Sequence, residues 1–170
     1  ISRKGHQLIY QNRVRNDNIW RVNLRDERHA KGSPSDLISA NGFNGRPDFS
    51  PDGKRIVFES SRSGYAEIWA CDSDGTNCGQ LTSLRGIAGT ARWSPDGRYV
   101  VAMALDSQKL MLFDFSTHKW AELVSGPAAY PNWSHDGSYI YFINPYIAEP
   151  PVYRIRISDR KRELITTLGR

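Results

Sequence analysis

Cysteine is scarce in this chain, with two in 170 residues, and histidine is nearly so, with four. Cys71 and Cys78 have no histidine at zinc-ligand spacing, and His6, His29, His118 and His135 stand far apart. That excludes the common zinc arrangements. No Gly-x-Ser-x-Gly nucleophile turn, phosphate-cradling glycine loop or His-Glu-x-x-His helix occurs. Without these the chain is expected to be no enzyme, to hold no metal and to need no cofactor. Long apolar runs are also missing. The longest, residues 99–105, falls far short of the ~20 residues that cross a bilayer, so no membrane insertion by this segment is expected. No signal peptide is visible. Neither charge sign dominates: 23 basic residues face 18 acidic ones, for a formal net charge of +5. The denser basic stretches, residues 13–15, 25–31 and 154–162, lack interleaved aromatics, so they read as solvated loops and outer strands.

What is present is a repeat. Phe49-Ser50-Pro51-Asp52-Gly53 returns as Trp93-Ser94-Pro95-Asp96-Gly97, and again as Trp133-Ser134-His135-Asp136-Gly137. A worn copy, Ile1-Ser2-Arg3-Lys4-Gly5, opens the chain. The copies begin at positions 1, 49, 93 and 133. Self-similarity at this period points to a repeat architecture.

Each unit predicts the same run of elements. Ser-Pro-Asp-Gly suits a tight turn: proline presets φ, aspartate bonds its own backbone, and glycine accepts the left-handed position. Pro51, Asp52, Gly53, Pro95, Asp96, Gly97, Asp136 and Gly137 are therefore structural turn residues. Repetition in every unit argues the same, since an active site is needed once. Arg3-Lys4 and His135 replace parts of the motif and should weaken those turns by ~0.4–1 kcal/mol each. After each turn comes a short apolar run, such as Ile56-Val57-Phe58 or Ile140-Tyr141-Phe142-Ile143, read as a strand buried on both faces. An alternating third strand and a short fourth follow, the fourth ending in pairs such as Leu81-Thr82 and Leu164-Ile165. Residues 46–49, 90–93 and 130–133, ahead of each turn, supply an inner strand. Four antiparallel strands cannot hide both apolar faces alone, but stacked neighbours can. The expected fold is all-β: a β-propeller of four-stranded blades, at approximately 1–44, 45–87, 88–125 and 126–170. A β-sandwich explains the strands but not the spacing.

These units resemble the WD40-like repeat of TolB-type β-propellers, whose hallmark is the Ser-Pro-Asp-Gly turn ahead of a strand. The likeness covers nearly the whole chain and is best over residues 46–82. It implies six to eight blades in a complete ring, of which this chain would be a four-blade segment; four closed blades are the other option. The chain opens part-way through a unit, so it is expected to be an excerpt whose raw blade faces meet the remaining blades.

Two smaller readings concern residues 71–78 and a sequon. Residues 72–77 are a turn rather than a calcium loop, because Ser83 stands where a calcium loop needs glutamate. Cys71 and Cys78 flank that turn; two free small apolar side chains are expected, with a bridge across the hairpin as the alternative. Asn132-Trp133-Ser134 lies inside an inner strand, a poor place for glycosylation.

The candidate binding residues come from the inner strands. Phe49, Trp93 and Trp133, with Pro47, Ala91 and Pro131, form one side by period two. The other side carries Arg46, Asp48, Thr90, Arg92, Tyr130 and Asn132, which differ from unit to unit as a binding funnel requires. Pairing between neighbouring blades is the plainer alternative.

With no catalytic constellation, a rigid repeat offers loops and a funnel to a protein or peptide partner. Within the resemblance, the chain looks closest to propellers attached to bacterial signalling proteins, behind a winged-helix DNA-binding domain or a kinase, on residues 17–21, 46–82 and 106–114. DNA would then be met only through a domain absent here. The second reading is a TolB-like periplasmic component of the Tol–Pal envelope system, partnering a peptidoglycan-associated lipoprotein. The third is the propeller of a prolyl-oligopeptidase-like serine peptidase. The periplasm is the expected location, with the cytoplasm as the alternative.

Overall fold

The structure is a computed structural model and describes residues 7–13, 17–26 and 29–169. The worn first turn at Ile1 to Gly5 and His6 lie outside them. Among the described residues there are fifteen strands and no helix. The chain divides into two compact units, Ile1–Ala91 and Arg92–Arg170.

In the first unit, β1 (Gln7–Arg13), β2 (Asp17–Asp26) and β3 (His29–Ile38) form a three-stranded antiparallel sheet. Next come β4 (Asn44–Phe49), β5 (Arg55–Ser60), β6 (Glu67–Asp72) and β7 (Gly79–Gln80), a sheet in chain order. Ile19, Leu37 and Ile38 from the first sheet meet Ile56, Phe58 and Cys71 from the second in one buried cluster, with Phe49 and Trp69 against it. Neither sheet could bury these side chains alone. At ~25 cal/mol per Å² of apolar surface, this shared burial is the main term holding two sheets together.

β8 (Ala88–Trp93) runs over the unit boundary and closes the order β11-β10-β9-β8 with β9 (Tyr99–Ala104), β10 (Lys109–Asp114) and β11 (Lys119–Val124). β12 (Ala129–Trp133), β13 (Tyr139–Ile143), β14 (Pro151–Arg156) and β15 (Arg162–Thr167) make the last sheet. Here Val101, Leu110, Leu112 and Leu123 pack with Ala129, Ile140, Phe142 and Ile155.

The three described turns share one hydrogen-bond pattern. Ser50, Ser94 and Ser134 each donate Oγ–H to the aspartate two residues on, at 2.6, 2.5 and 2.6 Å. That carboxylate accepts the backbone N–H of Lys54, Arg98 or Ser138. The serine Oγ in turn accepts the N–H of Arg55, Tyr99 or Tyr139 at the start of the next strand. Gly53, Gly97 and Gly137 sit at φ 71°, 73° and 72°, which favours glycine. His135 keeps this geometry without proline.

Two expectations are corrected. Cys71 and Cys78 are joined in a disulfide rather than free. The hairpin brings their Cα atoms to 4.1 Å, a separation that sequence spacing alone does not reveal. The fourth strand of the second sheet is two residues, Gly79–Gln80, and stops short of Leu81-Thr82. Those two leave the ladder but stay tied to β6: Leu81 N–H donates to the Ile68 carbonyl, and Ile68 N–H donates to Thr82 Oγ1.

Candidate functional site

The inner strands are less regular than period two suggests. In β4 the pairing slips between Gly45↔Glu59 and Asp48↔Val57, so Arg46 and Pro47 face Phe58 alone. In β12 it slips between Ala129↔Ile143 and Asn132↔Tyr141, so Tyr130 and Pro131 face Phe142. Two residues opposite one is a β-bulge. Proline suits the second bulge position, where the missing N–H costs no ladder bond.

The first bulge residue is left-handed in each case: Arg46 at φ 51° and Tyr130 at φ 54°, with Thr90 at φ 52° in the matching place of β8. None is glycine, and such a backbone costs about 1–3 kcal/mol per residue. The strain recurs at the variable position of three inner strands.

In the first unit the structure brings two candidates onto one carboxylate. Arg46 Nη1 donates to Glu59 Oε2 at 2.6 Å, and Thr90 N–H donates to Glu59 Oε1 at 2.6 Å. Glu59 is buried; the Arg46 side chain is half exposed. Thr90 is itself buried, so it leaves the exposed set that alternation gave it. Asp48 is partly buried opposite Val57. In the second unit, Tyr130 and Asn132 are exposed, and Pro131 between them is buried. Arg92 is partly buried, and its carbonyl accepts Trp133 Nε1–H at 3.1 Å.

Sequence reasoning passed over two carboxylates, Glu59 and Glu67, each 2% exposed. Glu67 accepts from Thr82 Oγ1 and from Arg85 N–H. The available signal for Glu59 was a charge in an apolar strand position that Met103 and Ile143 fill in sister units. For the bulges it was a proline inside a strand, at Pro47 and Pro131. Among the described residues no group of three or more His, Cys, Asp or Glu could hold a metal ion. The Asp72–Asn77 segment is a self-bonded turn: Thr76 N–H donates to Asp74 Oδ1, and Asn77 Nδ2 donates to Asp72 Oδ2.

The family model for the TolB beta propeller domain matches residues 2–129. The chain belongs to the TolB β-propeller family. A TolB homolog from Chlorobaculum tepidum is 32% identical over 120 residues, 69% of this chain and 28% of its own length. The solved TolB from Acinetobacter baumannii aligns with TM-score 0.80 at 24% identity, over 95% of this chain and 41% of that one. The chain thus spans well under half of these TolB relatives. A chain from a structural analysis of two prolyl endopeptidases aligns with TM-score 0.70 at 16% identity, over 99% of this chain and 29% of that one, a likeness of fold. Against the TolB fold the four sheets are propeller blades, with β4, β8 and β12 as the first strands of theirs. No helix among the described residues is long and apolar enough to cross a membrane.

Proposed function

We propose that this chain is the partner-binding part of a TolB-like component of a bacterial Tol–Pal envelope system, acting in the periplasm without catalysis of its own. The observation that carries it is the family match over residues 2–129 together with the TolB homolog. The reading of a module for a winged-helix regulator or kinase draws no support from these relatives, so the envelope reading takes its place. The Cys71–Cys78 disulfide supports a periplasmic address, because such bonds persist in oxidising compartments. The candidate contacts are Arg46, Asp48, Arg92, Tyr130 and Asn132, with Thr90 as a buried support. Left-handed bulges re-aim side chains at strand ends, which is a use that functional sites make of them. An exposed tyrosine and arginine are the side chains best suited to anchor a protein partner.

The test is calorimetric titration of the full-length protein with the peptidoglycan-associated lipoprotein of the same organism. Binding is expected, and Tyr130→Ala or Arg92→Glu should weaken it about tenfold or more. No heat of binding to the lipoprotein sinks the envelope reading. Binding unchanged in both variants sinks the assignment of the contacts.

A further inference from the structure

A second surface lies on the first unit, at the end of the β4–β7 sheet opposite its Ser-Pro-Asp-Gly turn. Three stretches meet there by antiparallel order: residues 40–43 before β4, 61–66 between β5 and β6, and 81–87 between β7 and β8. Tyr65, Leu84 and Ile87 are large apolar side chains and are 52%, 46% and 47% exposed. Arg85 beside them is exposed, whereas Arg46 and Arg62 at the same end are engaged internally, Arg46 with Glu59 and Arg62 with Ser60 Oγ and Asn44 Oδ1. The carboxylates at this end, Glu59 and Glu67, are both buried and turned to internal donors. The opposite end of the same sheet carries Asp52, Asp72 and Asp74 beside Lys54 and Arg55. The three stretches contain no carboxylate, and Arg85 is an exposed cation among their apolar side chains.

The apolar side chains stand on a fixed backbone. Ala66 bridges to Ile87, and Ala88 N–H donates to the Ala66 carbonyl at 2.7 Å. Glu67 holds Arg85 by its N–H at 3.1 Å, with Arg85 itself left-handed at φ 51°. Gln80 Nε2 donates to the Thr82 carbonyl at 2.6 Å. Burying a carboxylate is costly unless donors satisfy it. Here two of those donors lie in the connection to β8, so Glu67 fixes an exposed loop. A preordered loop loses little entropy when a partner docks. An exposed apolar cluster rimmed by polar residues is a mark of such docking.

We infer that this end of the second blade docks an acidic peptide segment bearing apolar side chains: its leucines or aromatics on Tyr65, Leu84 and Ile87, its carboxylates on Arg85. The match of charge sign selects this occupant.

The probe is a short fluorescein-labelled peptide alternating Asp/Glu with Leu/Phe, read by fluorescence anisotropy against the full chain. Controls are the same peptide with Lys for its acids, and vesicles of phosphatidylglycerol. Saturable binding of the acidic peptide is expected, weakening as salt is raised. Arg85→Glu should weaken it about tenfold, and the double variant Tyr65→Ser, Leu84→Ser by a similar factor. Arg85→Lys should keep most of it, and the lysine peptide should gain affinity on Arg85→Glu. Melting curves check that each variant is folded. The proposal is overturned if the acidic peptide does not saturate, if acidic and basic peptides bind alike, if both variants bind as well as the parent, or if vesicles bind and the peptide does not. It does not rest on the inner-strand contacts: Arg92→Glu reads those and should leave this binding unchanged.

Discussion

At the scale of single residues, the repeated turn is the clearest link from sequence to structure. Asp136 shows what its aspartate does. The Ser134 hydroxyl and then the Ser138 N–H hold its carboxyl down to about 2. Asp52 is lowered by Ser50 and Lys54 in the same way, and Asp114 is lowered to about 2, chiefly by Ser116 and Arg98. A carboxyl depressed in the folded state adds stability above its unfolded value, near ~3.9, and loses that contribution as pH falls through the folded one. The melting temperature should therefore be flat in this respect above about pH 5 and drop steadily from about pH 4 toward 2. Asp136→Asn should shrink that drop, since asparagine keeps an acceptor and cannot titrate. A second expectation concerns proline. His135 occupies the place of Pro51 and Pro95 with the same surrounding hydrogen bonds. His135→Pro should stabilise by ~0.4–1 kcal/mol by narrowing the unfolded ensemble, read as a rise of about 1–4 °C in thermal midpoint.

At the scale of elements, the strands were legible because the turn motif marks where each hairpin reverses. Ile56-Val57-Phe58 and Ile140-Tyr141-Phe142-Ile143 lie where patterning puts them, in β5 and β13. The bulges escaped because alternation treats a strand as a uniform ribbon. Pro47 and Pro131 carried the hint, as residues that an inner paired strand does not otherwise accommodate. Glu59 escaped for another reason: its donor Thr90 is 31 residues away in the chain, and only folding joins them. That carboxylate ties β5 to β8 through the Thr90 N–H. Glu59→Ala should leave the amide without its acceptor and cost ~1–3 kcal/mol, while Glu59→Gln keeps an acceptor and should cost less. Urea denaturation midpoints distinguish the two. Equal losses in both variants would mean that the charge toward Arg46, and not the amide, is the important partner. The disulfide was illegible on different grounds. Spacing allows Cys71 and Cys78 to bridge, and only the hairpin register brings them together.

At the scale of the whole molecule, the architecture could be read from period and turn chemistry, whereas the role could not. Repeats announce themselves because every unit solves the same burial problem. A binding site is made of the residues in which units differ, and difference carries no signature without a partner in view. Tyr130, Arg46 and Thr90 occupy one structural position yet end exposed, paired and buried in turn. On the proposed function, the variable positions of the inner strands receive a protein partner. Hydrogen–deuterium exchange of the full-length protein, with and without the peptidoglycan-associated lipoprotein, tests it most directly. Slower exchange in β4, β8 and β12 on adding the lipoprotein is the predicted result. Unchanged exchange in these strands, with slowing confined to the outer strands β7, β11 and β15, would contradict it.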